Sequence, residues 1–555
     1  MRFPVHAGTL IVNISMNSLP SGQPFDLSNQ TKELLEASVT LESNKGNRQY
    51  SADLIRVSNL TQGIEFVYEK IRNALEYQEE NLWLKNAIYR ILKRKFLHLL
   101  AKEPIGREMI EELIRGRYLE NNYYPETAAT ELDALLEKYR IALESFETNT
   151  TLSESKALPH EEWFLSLGAA EIADFFLQNS LSRAYVNYFW KTMEERVDVA
   201  PGMAGPELSE QIYLAAYRNF LQADTAMEQY ELFRIKHPEW FSGQQSSFEE
   251  IGKGLIMLSQ DLQEALQNPL RKELDRIMKQ RSLLLFLLKD IVDQEKGLAQ
   301  NLLDNPEALE QKLKTLYDQR YLTGRKKLQT AAIRALIFII LTKMVLLLIG
   351  EVPYQLWKDK QIDITVLGLN LLIPPIILIA SAMTIKMPGE EQNFLQIVTD
   401  FEKMIRPAAG MPPLNTIKPS RRHMAAVDIG LQIMYGVNIV FTGWLLSLFF
   451  AYFNFTWVDS LIFILFLSLV SFFAVRLRKT ANELAAVEQR EHFVTTLVEF
   501  FLLPIIDIGK WLSRAISSIN IVAFVFDFLL ETPFKLIVKV LEEWFMFMRE
   551  RKQNL

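Results

Sequence analysis

The sequence predicts an all-α chain. A large helical soluble domain comes first, a four-helix transmembrane region follows, and C-terminal amphipathic helices lie in the membrane interface. Three observations carry this expectation: polar and apolar residues are segregated along the chain, four apolar stretches are long enough to span a bilayer, and the basic residues between them alternate in density.

The segregation shows in the charge count. Mean hydropathy is +0.04 although 23% of the residues are charged. Residues 1–330 hold 39 Lys and Arg against 48 Asp and Glu, and residues 331–555 hold 21 against 19. An acidic, water-soluble front part therefore precedes an apolar back part. Acidity in the front part argues against nucleic acid as a partner, because neutralising phosphate supplies most sequence-independent affinity for it. The local basic cluster Arg90, Lys93, Arg94 and Lys95 reads as a solvated helix face. The chain has no cysteine, which excludes disulfides, Cys-bound zinc, iron–sulfur clusters and thiol catalysis.

Residues 1–25 form a leader, read as a short strand or a disordered segment. Leu10, Val12, Ile14 and Met16 alternate, and the apolar run Ala7 to Val12 is too short for a convincing signal peptide. Residues 26–328 form the helical domain. Its clearest helix runs from Asn59 to Lys102, with Ile64, Val67, Ile71 and Leu75 at helical spacing and Pro104 beyond its end. A second helix opens at Pro125, and Thr148–Pro159 reads as a linker. Further helices are expected over His160–Gln178, Leu181–Val197, Glu207–Lys236, Phe248–Leu266 and Leu270–Leu303, with no run of alternating strands. The aromatic residues between Trp163 and Trp190 read as core rather than as a ligand pocket. Asn305–Arg320 continues through Arg325–Lys327 into the first span, coupling the domain rigidly to the bilayer.

The membrane region, 329–476, holds spans at 331–349, 364–383, 429–453 and 458–475. Each approaches the ~20 apolar residues that cross the hydrocarbon core. Arg320, Arg325, Lys326 and Lys327 precede the first span, and only Lys358 and Lys360 follow it. The loop 384–427 carries Lys386, Lys403, Arg406, Lys418, Arg421 and Arg422. The connection Asn454–Asp459 carries no basic residue, and Arg476, Arg478 and Lys479 follow the last span. This alternation predicts an even number of crossings, with both termini cytoplasmic at the cell membrane. Arg325, Lys326, Lys327, Arg476, Arg478 and Lys479 are candidate contacts to anionic lipid headgroups.

Residues 477–555 read as amphipathic interfacial helices. Asp507, Lys510, Arg514, Ser517 and Ser518 form one narrow polar stripe. Asp527, Glu531, Lys535, Lys539, Glu542 and Glu543 form another, and the remaining positions are mostly apolar. A fifth and sixth crossing, or a re-entrant pair around Ala515–Leu530, is the rival reading.

No motif points to a catalytic residue, a cofactor or a metal. The six histidines lack ligand spacing, and neither a Walker A loop nor GxSxG occurs. One constellation inside the membrane stands out. Lys343 lies ~10 Å below the outer end of its span, and Asn370 lies at a similar depth on the next. Pro374 and Pro375 remove the N–H donors of the Asn370 and Leu371 carbonyls. With Glu351 or Asp459 as a charge partner, these groups are a candidate intramembrane polar site. The bland alternative is that Lys343 snorkels outward and the proline pair merely kinks a helix.

Three functions fit the sequence. The first is a non-enzymatic membrane-anchored interaction or scaffold protein, whose cytoplasmic domain binds a protein partner or self-associates. The second is a transporter or channel component using the Lys343–Asn370 region, and the third a membrane enzyme without a recognisable motif.

Overall fold

The computed structural model describes residues 27–46, 53–57, 69, 82–96, 104–177, 180–199, 206–358, 360–384, 390–407, 415–417, 425–481, 493–518, 540 and 544. The leader 1–25, much of Asn59–Lys102 and nearly all of the second C-terminal polar stripe lie outside these residues. Among the described residues the structure is all-helical apart from two three-residue strands.

Before the first span the helices are α1 (Asn29–Gly46), α2 (Trp83–Phe96), α3 (Gly106–Arg115), α4 (Glu126–Asn149), α5 (Glu154–Leu177), α6 (Ser180–Glu194), α7 (Pro206–Leu221), α8 (Thr225–Lys236), α9 (Gln245–Lys253), α10 (Leu255–Leu266), α11 (Arg271–Glu295) and α12 (Ala299–Leu303). They bury two apolar cores. The first gathers Ile88, Ile110, Leu132, Tyr139, Phe164 and Trp240 from α2–α5 and the turn after α8. Both α4 and α5 contribute to it, so the short break after Asn149, within the stretch read as a linker, connects two helices of one core. The second gathers Leu34, Tyr185, Phe189, Tyr217, Leu285 and Leu288 from α1, α6, α7 and α11. The aromatic run 163–190 is divided between the two cores.

Charged side chains inside this region are paired. Arg90, Lys93, Arg94 and Lys95 meet Glu69, Glu162, Glu112 and Glu108, so each basic residue of the cluster faces a carboxylate. Fully buried Glu231 accepts from Tyr213 Oη at 2.6 Å and Arg234 Nη2 at 2.6 Å. Burial alone pushes its carboxyl up, but the Arg234 hydrogen bond and the Arg183 and Arg234 charges outweigh this and hold it below the usual range. The resulting stabilisation is complete above the unfolded value of ~4.3 and is lost as pH falls through the lower folded value. Acid unfolding should therefore be less steep in Glu231→Gln than in the wild type, as measured by circular dichroism across the acid limb.

The second half of the chain begins with α13 (Pro306–Leu346), which runs through a π-turn (Leu347–Glu351) into α14 (Val352–Lys358). Then come α15 (Ile364–Thr384), α16 (Glu390–Ile405), α17 (Ala425–Tyr452), α18 (Trp457–Ala481) and α19 (Phe493–Ser518). Among the described residues, four helical stretches are long and apolar enough to cross a membrane: one within 306–358, and Ile364–Met383, Ile429–Tyr452 and Trp457–Val475. Asn305 caps α13 through the Ala308 N–H, with Pro306 in its first turn. The helix then extends ~60 Å without a break. Its first turns bury Leu309, Leu313, Leu316 and Tyr317 in the second core, and Arg320 pairs with Asp290 at 2.5 Å. Further on, Ala335 and Ile339 pack against Leu378 of α15 and Ile462 and Phe466 of α18.

Two features depart from the sequence reading. The stretch 384–427, read as a basic loop, contains α16, which places Phe394, Ile397, Phe401, Met404 and Ile405 in the second core. Its spacing is that of an amphipathic helix. Beside it, Val197–Val199 (β1) pairs in parallel with Asn415–Ile417 (β2), and the Ser28 N–H donates to the Ile405 carbonyl at 2.9 Å. The chain between the second and third spans is thus built into the helical domain.

The second departure is α19. It packs along α18 and also against α17. Asn438 Nδ2 donates to the Phe500 carbonyl at 2.6 Å, Thr442 Oγ1 to the Phe501 carbonyl at 3.1 Å, and Tyr435 Oη to Asp507 at 2.7 Å. Asn438, Thr442 and Ser468 lie near the middle of α17 and α18, so α19 packs against these helices there, a contact the sequence reading did not foresee. Lys510 and Trp511 remain on its exposed side.

Candidate functional site

A helix that must cross hydrocarbon gains nothing from burying charge, yet α13, α14, α15 and α18 bring five polar side chains together. Lys343, Glu351, Asn370 and Asp459 are fully buried and Gln355 is 2% exposed. The local chain explains how they meet. Glu351 closes the π-turn, in which the Val352 N–H donates to the Leu347 carbonyl five residues back. Pro353 has no N–H to offer Ile349, so the helical ladder slips just ahead of it. Eight residues of regular α-helix overshoot two full turns by ~80°. The wider π-turn takes up that excess, so that Lys343 and Glu351 share one buried face.

Asn370 is the hub. Its Nδ2 donates to Glu351 Oε1 at 2.5 Å and to the Asp459 carbonyl at 3.3 Å. Asp459 sits in the first turn of α18 in a reciprocal capping arrangement with Thr456. Its carboxylate accepts from Thr456 N at 3.0 Å and Thr456 Oγ1 at 2.6 Å, and from Gln355 Nε2 at 3.3 Å. The helix N-terminus favours this negative charge. Gln355 Oε1 in turn accepts from the Asp363 N–H at 3.1 Å, and Asp363 caps α15 through Thr365 N and Val366 N. Both connections on this side of the bundle are thus tied to one network.

Lys343 stands apart from these hydrogen bonds. Its Nζ lies 4.8 Å from the Phe466 ring centre and 5.8 Å from that of Phe463. It has no hydrogen-bond partner among the described residues. Attraction to the ring faces offsets part of the cost of burying the ammonium. The side chain does not reach the surface, as a snorkelling lysine would. Glu351 Oε2 and Asn370 Oδ1 are likewise buried without a partner among the described residues.

Of the four residues singled out in the sequence, the structure joins Asn370, Glu351 and Asp459 directly and sets Lys343 on the same face as Glu351. Sequence reasoning missed Gln355 and the π-turn. Pro353 was the available signal, since a proline soon after an apolar helix forces its hydrogen-bond ladder to end or slip. Among the candidate lipid contacts, Arg325, Lys326 and Lys327 are exposed on α13. Arg476, Arg478 and Lys479 lie on α18, and their side chains fall outside the described residues.

Comparison with known proteins gives no relative to lean on: no family model matches the chain, and no curated protein or solved structure is significantly similar to it.

Proposed function

We propose that this chain is a multi-pass protein of the cell membrane, with both termini cytoplasmic, whose helical domain is an interaction module held firmly to its membrane bundle. One observation carries the reading: α16, between the second and third spans, completes the second core of the domain. A chain that leaves the domain through α13 and returns to it at α16 crosses the bilayer and crosses back. The basic residues before the first span and in 384–427 then fall on one side, as expected of a cytoplasmic face. Arg325, Lys326 and Lys327 sit where α13 leaves the domain, suited to anionic headgroups. So large a domain clamped at two points fits the binding of a protein partner, or of a second copy, at a fixed height above the membrane.

The test uses the full chain, because a fragment ending at Arg320 lacks α16. Purified in mild detergent, the protein should retain a stoichiometric partner or self-associate. A reporter fused after Leu555 should be active only in its cytoplasmic mode. Recovery of a lone monomer overturns the interaction reading, and an external reporter signal overturns the topology. The buried, unpartnered Lys343 favours a second reading, a transporter or channel component. In that case Lys343→Ala and Asn370→Ala abolish an ion or solute flux in proteoliposomes while leaving any partner bound.

A further inference from the structure

The buried cluster holds more hydrogen-bond acceptors than donors. Glu351 Oε2 and Asn370 Oδ1 have no partner among the described residues although both side chains are fully buried. Pro374 and Pro375 lie inside α15, so the carbonyls of Asn370 and Leu371 lose their usual donors. The π-turn sends the Val352 N–H to Leu347, which deprives the Leu348 carbonyl of its usual donor as well. Against these oxygens stands Lys343 Nζ, the one donor of the cluster without a partner among the described residues, and it lies over the rings of Phe466 and Phe463.

Charge points the same way. When all three are ionised, Glu351 and Asp459 bring two negative charges and Lys343 one positive, which leaves the cluster one positive charge short. The other charged or titratable groups on the packed elements are peripheral: Tyr354 and exposed Lys358 on α14, Asp363 at the cap of α15, and Arg334 on the exposed side of α13. An uncompensated charge in a low-dielectric interior is costly. Asp459 is served by Thr456 and Gln355, so the deficit falls on Glu351.

We propose that Glu351 Oε2 and Asn370 Oδ1 bind one monovalent alkali-metal cation, with the main-chain carbonyls freed by the prolines and the π-turn available as further oxygen ligands. The ligand class follows from the acceptors. A proton on Glu351 Oε2 is the rival occupant, because the O–H it creates can donate to Asn370 Oδ1, and the pH arm of the test tells it from a metal ion. A divalent ion would overshoot neutrality and favours more carboxylates than the single free one here. Asn370, pinned through its Nδ2 to Glu351 and Asp459, holds the amide oxygen in place. The site does not depend on the partner-binding reading and fails separately from it.

The test is calorimetric titration of the full chain in detergent micelles. Choline chloride is replaced by lithium, sodium or potassium chloride at constant pH and ionic strength, and thermal unfolding is followed in the same series. One alkali ion should bind saturably at a single site and raise the unfolding temperature as its concentration rises. Glu351→Gln and Asn370→Ala should each weaken binding at least about tenfold, because each removes one of the two proposed ligand oxygens. A variant that still unfolds cooperatively in choline but no longer responds to the ion has lost the site and not the fold. Identical behaviour in choline and in all three alkali salts overturns the proposal. So does an ion effect unchanged in both variants, or one reproduced in choline by a change of pH alone.

Discussion

Phe401→Ala should lower the stability of the chain by ~3–5 kcal/mol and release the segment between the second and third spans from the helical domain. Phe401 is fully buried in the second core, on a helix anchored at several further points. Asn393 Nδ2 donates to Tyr317 Oη at 2.8 Å, and the Phe394 and Tyr317 rings lie 5.8 Å apart. Arg281 pairs with Asp400, and Arg406 reaches the Leu303 carbonyl. Truncating the central aromatic removes its transfer energy and leaves a cavity that these fixed neighbours cannot close. Denaturant unfolding in micelles reads the stability, and limited proteolysis between α15 and α16 reads the release. Unchanged unfolding together with unchanged cleavage would show that α16 does not anchor the bundle to the domain.

Gly509→Val should displace α19 from the bundle at a cost of ~3 kcal/mol or more. A Cβ on Gly509 would lie 2.1 Å from the Ser468 carbonyl oxygen and 3.0 Å from Phe472 Cβ, so two helix backbones touch there and nothing flexible can yield. Once α19 is pushed out, the Asn438 and Thr442 hydrogen bonds to Phe500 and Phe501 are lost as well. The readouts are a lower unfolding temperature and a C-terminal tail that proteases cut faster. Gly430, on α17, provides the control, because a Cβ there meets nothing within 4 Å. If Gly430→Ala and Gly509→Val behave alike, the close approach of α18 and α19 is refuted.

Much of this architecture was legible in the sequence. The four spans were, because a bilayer imposes a length and an apolarity that few soluble helices meet. The shared depth of Lys343 and Asn370 followed from the rise per residue alone. The link between Asn370 and both acidic residues was not legible, because it depends on how α13, α15 and α18 pack. The position of Glu351 was hidden for a related reason. A π-turn changes the helical phase, and only Pro353 hints at it. The amphipathic spacing of Phe394, Ile397, Phe401 and Ile405 was present but masked by the basic residues around it. The placement of α19 rests on Gly509, whose missing side chain matters only once its neighbour is known.

The composition of the second core also sets an order of events during synthesis. Tyr185, Leu285 and Tyr317 are made long before Phe401. Two helices long and apolar enough to cross a membrane must leave the ribosome before Phe401, which completes the second core, exists. Until then the front domain carries an open apolar face on the side where α16 will dock. Maturation of the second core is therefore timed by synthesis of that helical pair. A chain stalled before residue 390 would expose that face to chaperones and proteases even though its entire front domain had already been translated.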